Sequence, residues 1–169
     1  MARSPGSGLS TAGVAVAAQL IQVVRHAHAG DREGWILDDD LRPLSERGIG
    51  QAERLAGQLA GARPQAVFSS LSLRCVGTVL PVARLAGLPL TTLEELHEGG
   101  SAAAMLVRLL AEPHQSVVAC THGDIVTDLL DWLVRAGVRL PSQRAEKAST
   151  WTIAVSDGAI SSARYAPPP

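Results

Sequence analysis

Leu20-Ile21-Gln22-Val23-Val24-Arg25-His26-Ala27-His28 is the stretch on which the reading of this chain turns. Its first five residues make a β-branched apolar run, too short for a helix and suited to a strand buried on both faces. The run stops at a cation and an imidazole. Working outward, Ala66-Val67-Phe68 is a second strand that stops at Ser69-Ser70, and Leu88 to Leu93 reads as a weaker third. Ser116-Val117-Val118-Ala119-Cys120 is a fourth, ending in Thr121-His122-Gly123.

Helical patterns lie between these runs. Ser45 is placed to cap a helix reaching about Gly61, with Ile49, Ala52, Ala56 and Leu59 on one face and Leu44 stapled near Ile49. A second helix is expected from about Leu73 to Ala86, bent at Pro81 and closed by Gly87, and a third from about Ala102 to Ala111. A fourth is expected to be capped by Asp124 and ended by Gly137, with Ile125, Leu129, Trp132 and Ala136 as its apolar stripe. Thr150 to Val155 and Ala159 to Tyr165 alternate around Asp157-Gly158, a strong hairpin signal.

Strands alternating with helices predict an α/β fold. The expected architecture is a three-layer sandwich, with a mostly parallel central sheet, helices on both faces and a C-terminal antiparallel hairpin. In such open sheets ligands sit beyond the carboxyl ends of the strands. That edge collects Arg25 and His26 from strand one, Arg74 from the helix after strand two, and His122, Gly123 and Asp124 from the end of strand four. Two arginines and two histidines so gathered make a cationic pocket suited to a phosphoryl group, which forked guanidinium donors and a helix N-terminus hold well. An imidazole flanked by guanidiniums is disfavoured as a cation, so His26 is expected to be neutral and able to attack phosphorus.

The pocket stands out because the chain as a whole is nearly neutral, with 15 basic and 16 acidic side chains. That balance gives no general attraction to nucleic acid or to anionic membrane. Its 169 residues fit one domain, with residues 1–17 as a flexible tail, 18–165 as the domain and 166–169 as a Pro-rich tail. No apolar run approaches the roughly 18 residues of a membrane span. Two cysteines, Cys75 and Cys120, are too few for a disulfide framework and read as core, which suits a cytoplasmic protein, monomeric or weakly dimeric.

Other readings compete. His26-Ala27-His28 with His122 and Asp124 suggests a zinc hydrolase, although Arg25 would then stand beside the metal. A phosphate-binding module without turnover is the third possibility. His28 is a candidate for the pocket mouth, and Asp38-Asp39-Asp40 reads as a solvated acidic loop.

Taken together, Val24-Arg25-His26-Ala27, Asp40-Leu41-Arg42-Pro43-Leu44-Ser45-Glu46-Arg47-Gly48 with Gln51-Ala52, Ser70-Leu71-Ser72-Leu73-Arg74 with Thr78, and Thr121-His122-Gly123 resemble the histidine phosphatase superfamily. Its short, SixA-like members are the nearest pattern, and the resemblance runs from about Gln22 to Tyr165. It implies His26 as nucleophile, Arg25, Arg74 and His122 as phosphoryl ligands with Gly123 beside them, and no metal or other cofactor. Members acting on esters usually carry a glutamate after the third strand as acid, and Leu93-Glu94-Glu95-Leu96-His97-Glu98-Gly99 resembles that setting, with Glu95 as the choice and Glu94 and Glu98 as competitors. The short segment between Arg74 and His122 implies an open pocket, suited to a phosphohistidine protein. Lys147-Ala148-Ser149-Thr150-Trp151 also resembles phosphatase domains that in some proteins are fused to a Nudix hydrolase, which implies instead a phosphorylated small molecule derived from a nucleotide.

Overall fold

Alternating burial along the central strands divides the interior into two cores. The structure, a computed structural model, describes residues 18–169. Residues 1–17, read above as a tail, lie outside the described residues. In β1 (Gln19–Arg25), Ile21 and Val23 enter one core and Val24 the other. In β4 (Ser116–Thr121), Val117 and Ala119 enter the first, and Val118 and Cys120 the second. This period of two is what a sheet covered on both faces requires.

Helices α1 (Glu46–Ala60) and α2 (Leu73–Ala86) cover one face through Leu55, Ala56, Leu59, Val79 and Val82. Helices α3 (Ala102–Leu110) and α4 (Gly123–Arg135) cover the other through Met105, Leu106, Leu109, Ile125, Leu129 and Leu133. With β2 (Ala66–Ser69), β3 (Leu90–Thr92), β5 (Thr150–Ser156) and β6 (Ala159–Ala166), the sheet has the order β3-β2-β4-β1-β5-β6. The first four strands are mutually parallel, and β5 and β6 complete the sheet as an antiparallel hairpin. Asp157 and Gly158, both at positive φ, make the turn. The α/β sandwich expected from the sequence is the observed fold. No helix among the described residues is long and apolar enough to cross a membrane.

Several local expectations differ. Asp124 lies inside the first turn of α4 rather than capping it; His122 holds the cap position, and Asp124 Oδ2 accepts a bond from the Gly99 amide at 2.7 Å. The apolar stripe of α4 is Ile125, Val126, Leu129, Leu130 and Leu133, while Trp132 and Ala136 turn toward solvent. Ile49 is half exposed and shares a surface groove with Leu44, because Leu55 occupies the inward position on α1. β6 takes in Ala166, and the Pro169 carbonyl accepts a bond from Arg54.

The crossovers position the site. β4 is followed by α4 on one face, whereas its neighbours β1 and β2 are followed by α1 and α2 on the other, so the chain parts around the ends of these strands. Ser45 ties α1 to the loop leaving β1: its Oγ accepts from the Gly48 amide and donates to the His28 carbonyl, each at 3.2 Å. Gly48 is required for that approach, since a Cβ there would stand 1.9 Å from the His28 carbonyl oxygen. Gly48→Ala should therefore lower stability by about 3 kcal/mol, roughly 6 to 12 °C in Tm by thermal denaturation. An unchanged Tm would mean that α1 does not abut this loop.

Candidate active site

The register of β1 against β4 pairs Arg25 with Thr121, and the His26 amide donates to the Thr121 carbonyl at 3.0 Å. His26 and His122 are thereby brought side by side, with ring centroids 5.5 Å apart in an edge-on arrangement. Arg74, in the first turn of α2, reaches the same point: its Nη2 donates to His122 Nδ1 at 3.2 Å. Arg25 lies flat over the start of α4, where only a glycine fits, because a Cβ on Gly123 would come within 2.8 Å of the guanidinium carbon. Arg25, His26, Arg74 and Gly123 line a cavity of about 520 Å³, and His122 is buried against its wall.

Hydrogen bonding fixes the tautomers. His26 Nδ1 stands 2.8 Å from the Ala27 carbonyl, which can only accept, so Nδ1 carries the proton and Nε2 presents a lone pair. His122 Nδ1 accepts from Arg74, so its Nε2 carries the proton and donates to Ser70 Oγ at 2.9 Å. Burial pushes the His26 pKa down to about 3 against the favourable carbonyl bond, and the neighbouring His122, Arg74 and Arg25 lower it further. Burial also lowers Arg25, with Asp124 opposing. Buried Nε atoms of Arg25 and Arg74 have no acceptor among the described residues, which is costly for a charged donor.

Carboxylates brace the ring of cations. Asp39 pairs with Arg74, Arg42 and Arg32 at 3.2, 2.8 and 3.3 Å. The hydrogen bond from Arg42, joined by the Arg74, Arg42 and Arg32 charges, holds the Asp39 carboxyl below the usual range. Of the three aspartates expected to be solvated, Asp38 is exposed, whereas Asp39 and Asp40 are partly buried and bonded. Asp38 Oδ1 caps a short 3-10 turn (Asp39–Leu41), and Asp40 accepts from Ser72 Oγ.

Glu95, expected as the acid, does not line the cavity; Glu98 does. The 3-10 turn Glu94–Leu96 commits Leu96 to the core, and the extended backbone at His97 then carries Glu98 to the rim. There both Glu98 oxygens accept from guanidinium groups, Oε1 from Arg32 at 3.0 Å and Oε2 from Arg74 at 3.1 Å. His28 is also off the cavity, its Nδ1 bonded to Ser45 Oγ at 2.7 Å. The His-Ala-His pair therefore does not converge, and among the described residues no three His, Cys, Asp or Glu side chains are grouped to hold a metal. Cys75 and Cys120 are fully buried in the core, Cys75 Sγ lying 3.5 Å from His122 Nε2. Arg32, Arg42 and Lys147 also line the cavity; Arg42 and Lys147 fell within the motifs quoted above, but none of the three was given a role from the sequence.

Comparison with known proteins identifies the family and the fold. Residues 21–106, half of the chain, match the model of the histidine phosphatase superfamily, branch 1. The chain is 35% identical over 157 residues to the 8-oxo-(d)GTP phosphatase of Mycolicibacterium smegmatis, an alignment covering 88% of this chain and 48% of that protein. The chain thus spans about half the length of this relative. It belongs to the histidine phosphatase superfamily. Among solved structures, the protein histidine phosphatase SixA complexed with tungstate aligns with a TM-score of 0.70 at 22% identity, over 85% of this chain and 93% of that one. A mycobacterial glucosyl-3-phosphoglycerate phosphatase aligns with a TM-score of 0.65 at 19% identity, over 88% and 96%. At such identities the likeness is one of fold.

The lowered pKa of His26 has a consequence for stability. Unfolded, the residue takes up its proton near 6.5; folded, near 3. Between those values the unfolded chain binds more protons, so stability falls as pH falls through the window. His26→Gln should lose less unfolding free energy than wild type between pH 7 and pH 4.5 in urea titrations. Equal losses would show that His26 titrates normally in the folded protein.

Proposed function

We propose that the protein hydrolyses phosphorylated small molecules, nucleotide-derived ones foremost, through a phosphohistidine on His26, without a metal. The observation that carries this is a neutral imidazole with a free Nε2 lone pair that lines one cavity with the half-buried guanidinium of Arg25 and the buried one of Arg74, the His122 ring standing 5.5 Å away. Nε2 attacks phosphorus, a P–N bond forms and the P–O bond to the leaving group breaks. Charge spreads over the three equatorial oxygens in the transition state, and Arg25 and Arg74 supply donors around them, together with the uncapped N-terminus of α4; His122 adds one from Nδ1 in its other tautomer, as Arg74 Nη2 turns from it to the phosphoryl group. Water then attacks the phosphohistidine, the P–N bond breaks and orthophosphate leaves.

A nucleotide-derived substrate is supported by the 35% identical relative, whose name is that of a phosphatase of an oxidised nucleotide. The SixA-like reading, in which the substrate is a phosphohistidine protein, is supported by the open site and by a solved structure similar in fold. It stands second because that likeness lies at 22% identity.

His26→Ala should abolish turnover of p-nitrophenyl phosphate, and wild type quenched in alkaline detergent should carry a label on His26 from a 32P substrate. Activity retained in the variant would refute the nucleophile. Arg74→Ala should lower kcat by about 100- to 1000-fold, the usual effect of losing one oxyanion donor. A loss under tenfold would place Arg74 outside the transition-state clamp. EDTA should leave activity unchanged; restoration by zinc after a loss would favour metal chemistry.

A further inference from the structure

Lys147 is the chain's single lysine and lines the cavity that holds His26. Two features make its placement deliberate. The next residue, Ala148, is fully buried with φ of 65°, a left-handed conformation that costs a residue with a Cβ about 1 kcal/mol or more. Its amide donates to the carbonyls of both Arg25 and His26, at 3.0 and 3.2 Å, so the elbow is pinned to the residues that make the reaction centre. The charges facing Lys147 are Arg25, Arg42 and Arg47, all cations; burial lowers its pKa and they lower it further. Arg42 is itself buried, its Nη1 donating to the Ala29 carbonyl at 2.8 Å.

A half-buried ammonium crowded by guanidiniums costs free energy unless an anion joins them. The cavity has space for more than one tetrahedral group, at about 520 Å³. The carboxylates on its lining are engaged elsewhere: Glu98 with Arg32 and Arg74, Asp124 with the Gly99 amide, and Asp31 with the Glu33 amide. We infer that Lys147, with Arg42 and Arg25, forms a second phosphate subsite beside the phosphoryl site, so that the preferred substrate carries a second phosphate group next to the one transferred. This inference rests on the function proposed above and names its substrate class.

The chemistry of departure fits. Both Glu98 oxygens accept from guanidinium groups, so neither is free to face a leaving oxygen. A leaving phosphate needs no protonating acid. When His26 Nε2 attacks the terminal phosphorus of a diphosphate, the P–O bond of the bridge breaks and the pair of electrons stays on the departing phosphate, whose negative charge Lys147 faces. Hydrolysis of the phosphohistidine by water completes the turnover.

The test uses inorganic pyrophosphate and orthophosphate as inhibitors of p-nitrophenyl phosphate hydrolysis by the full chain. Lys147→Met should raise the Ki of pyrophosphate about 10- to 100-fold and that of orthophosphate less than about threefold, with Lys147→Arg close to wild type. Equal changes in the two constants, or none, would overturn the subsite. With wild type, ADP should exceed both AMP and adenosine 3′,5′-bisphosphate in kcat/KM. A value for AMP or for the bisphosphate equal to or above that for ADP overturns the inference. A folding defect is bypassed by acylating wild type: pyrophosphate should protect Lys147 from an amine reagent, as read by mass spectrometry, where orthophosphate at equal occupancy does not. Equal protection by both would count against it. Retained activity in His26→Ala would instead sink the proposed function, independently of Lys147.

Discussion

A single hydrogen bond, from His26 Nδ1 to the Ala27 carbonyl, governs the chemistry of this site. It settles which nitrogen bears the proton and leaves the other free, and it does so on a ring that burial keeps neutral. The bond exists because β1 ends where it does. Parallel pairing with β4 places Arg25 opposite Thr121, and the elbow at Ala148 grips the same two residues from the other side. The proposed nucleophile is thus held by backbone, the least adaptable part of the structure, while the groups around it are long side chains.

Those side chains raise an electrostatic problem that the fold answers with carboxylates. Arg74 is almost wholly buried, and a buried guanidinium without partners would be costly. Asp39 and Glu98 stand beside it at 3.2 and 3.1 Å, while also holding Arg32 and, for Asp39, Arg42. The resulting lattice of pairs keeps the cations in place before a substrate arrives, which is the condition for electrostatic stabilisation without reorganisation. Lys147 stands apart from this compensation, among cations, and so is the member of the cluster with most to gain from a bound anion.

Much of this was legible in the sequence because it depends on local pattern. β-branched runs marked the buried strands, Asp157-Gly158 marked the hairpin, and Gly87 at positive φ closes α2 where expected. The gathering of Arg25, His26, Arg74 and His122 followed from strand ends sharing one edge of a parallel sheet. What was not legible depends on geometry finer than an element. A 3-10 turn decides between Glu95 and Glu98, by sending Leu96 inward and letting the next extended residue carry Glu98 to the cavity. A left-handed alanine, which no propensity announces, delivers Lys147. Asp39 and Asp40 looked solvated because their partners Arg74 and Ser72 are distant along the chain. Asp124 looked like a cap for a similar reason: its acceptor role toward Gly99 depends on a loop some twenty-five residues earlier.

The central claim is that one tetrahedral anion is gripped by His26, Arg25, Arg74 and His122 together, and a crystal structure with bound orthovanadate addresses it directly. The account predicts vanadium within bonding distance of His26 Nε2, with equatorial oxygens bonded to both guanidiniums and to the His122 ring. Vanadate bound elsewhere in the cavity, with His26 Nε2 turned away from it, would contradict the account.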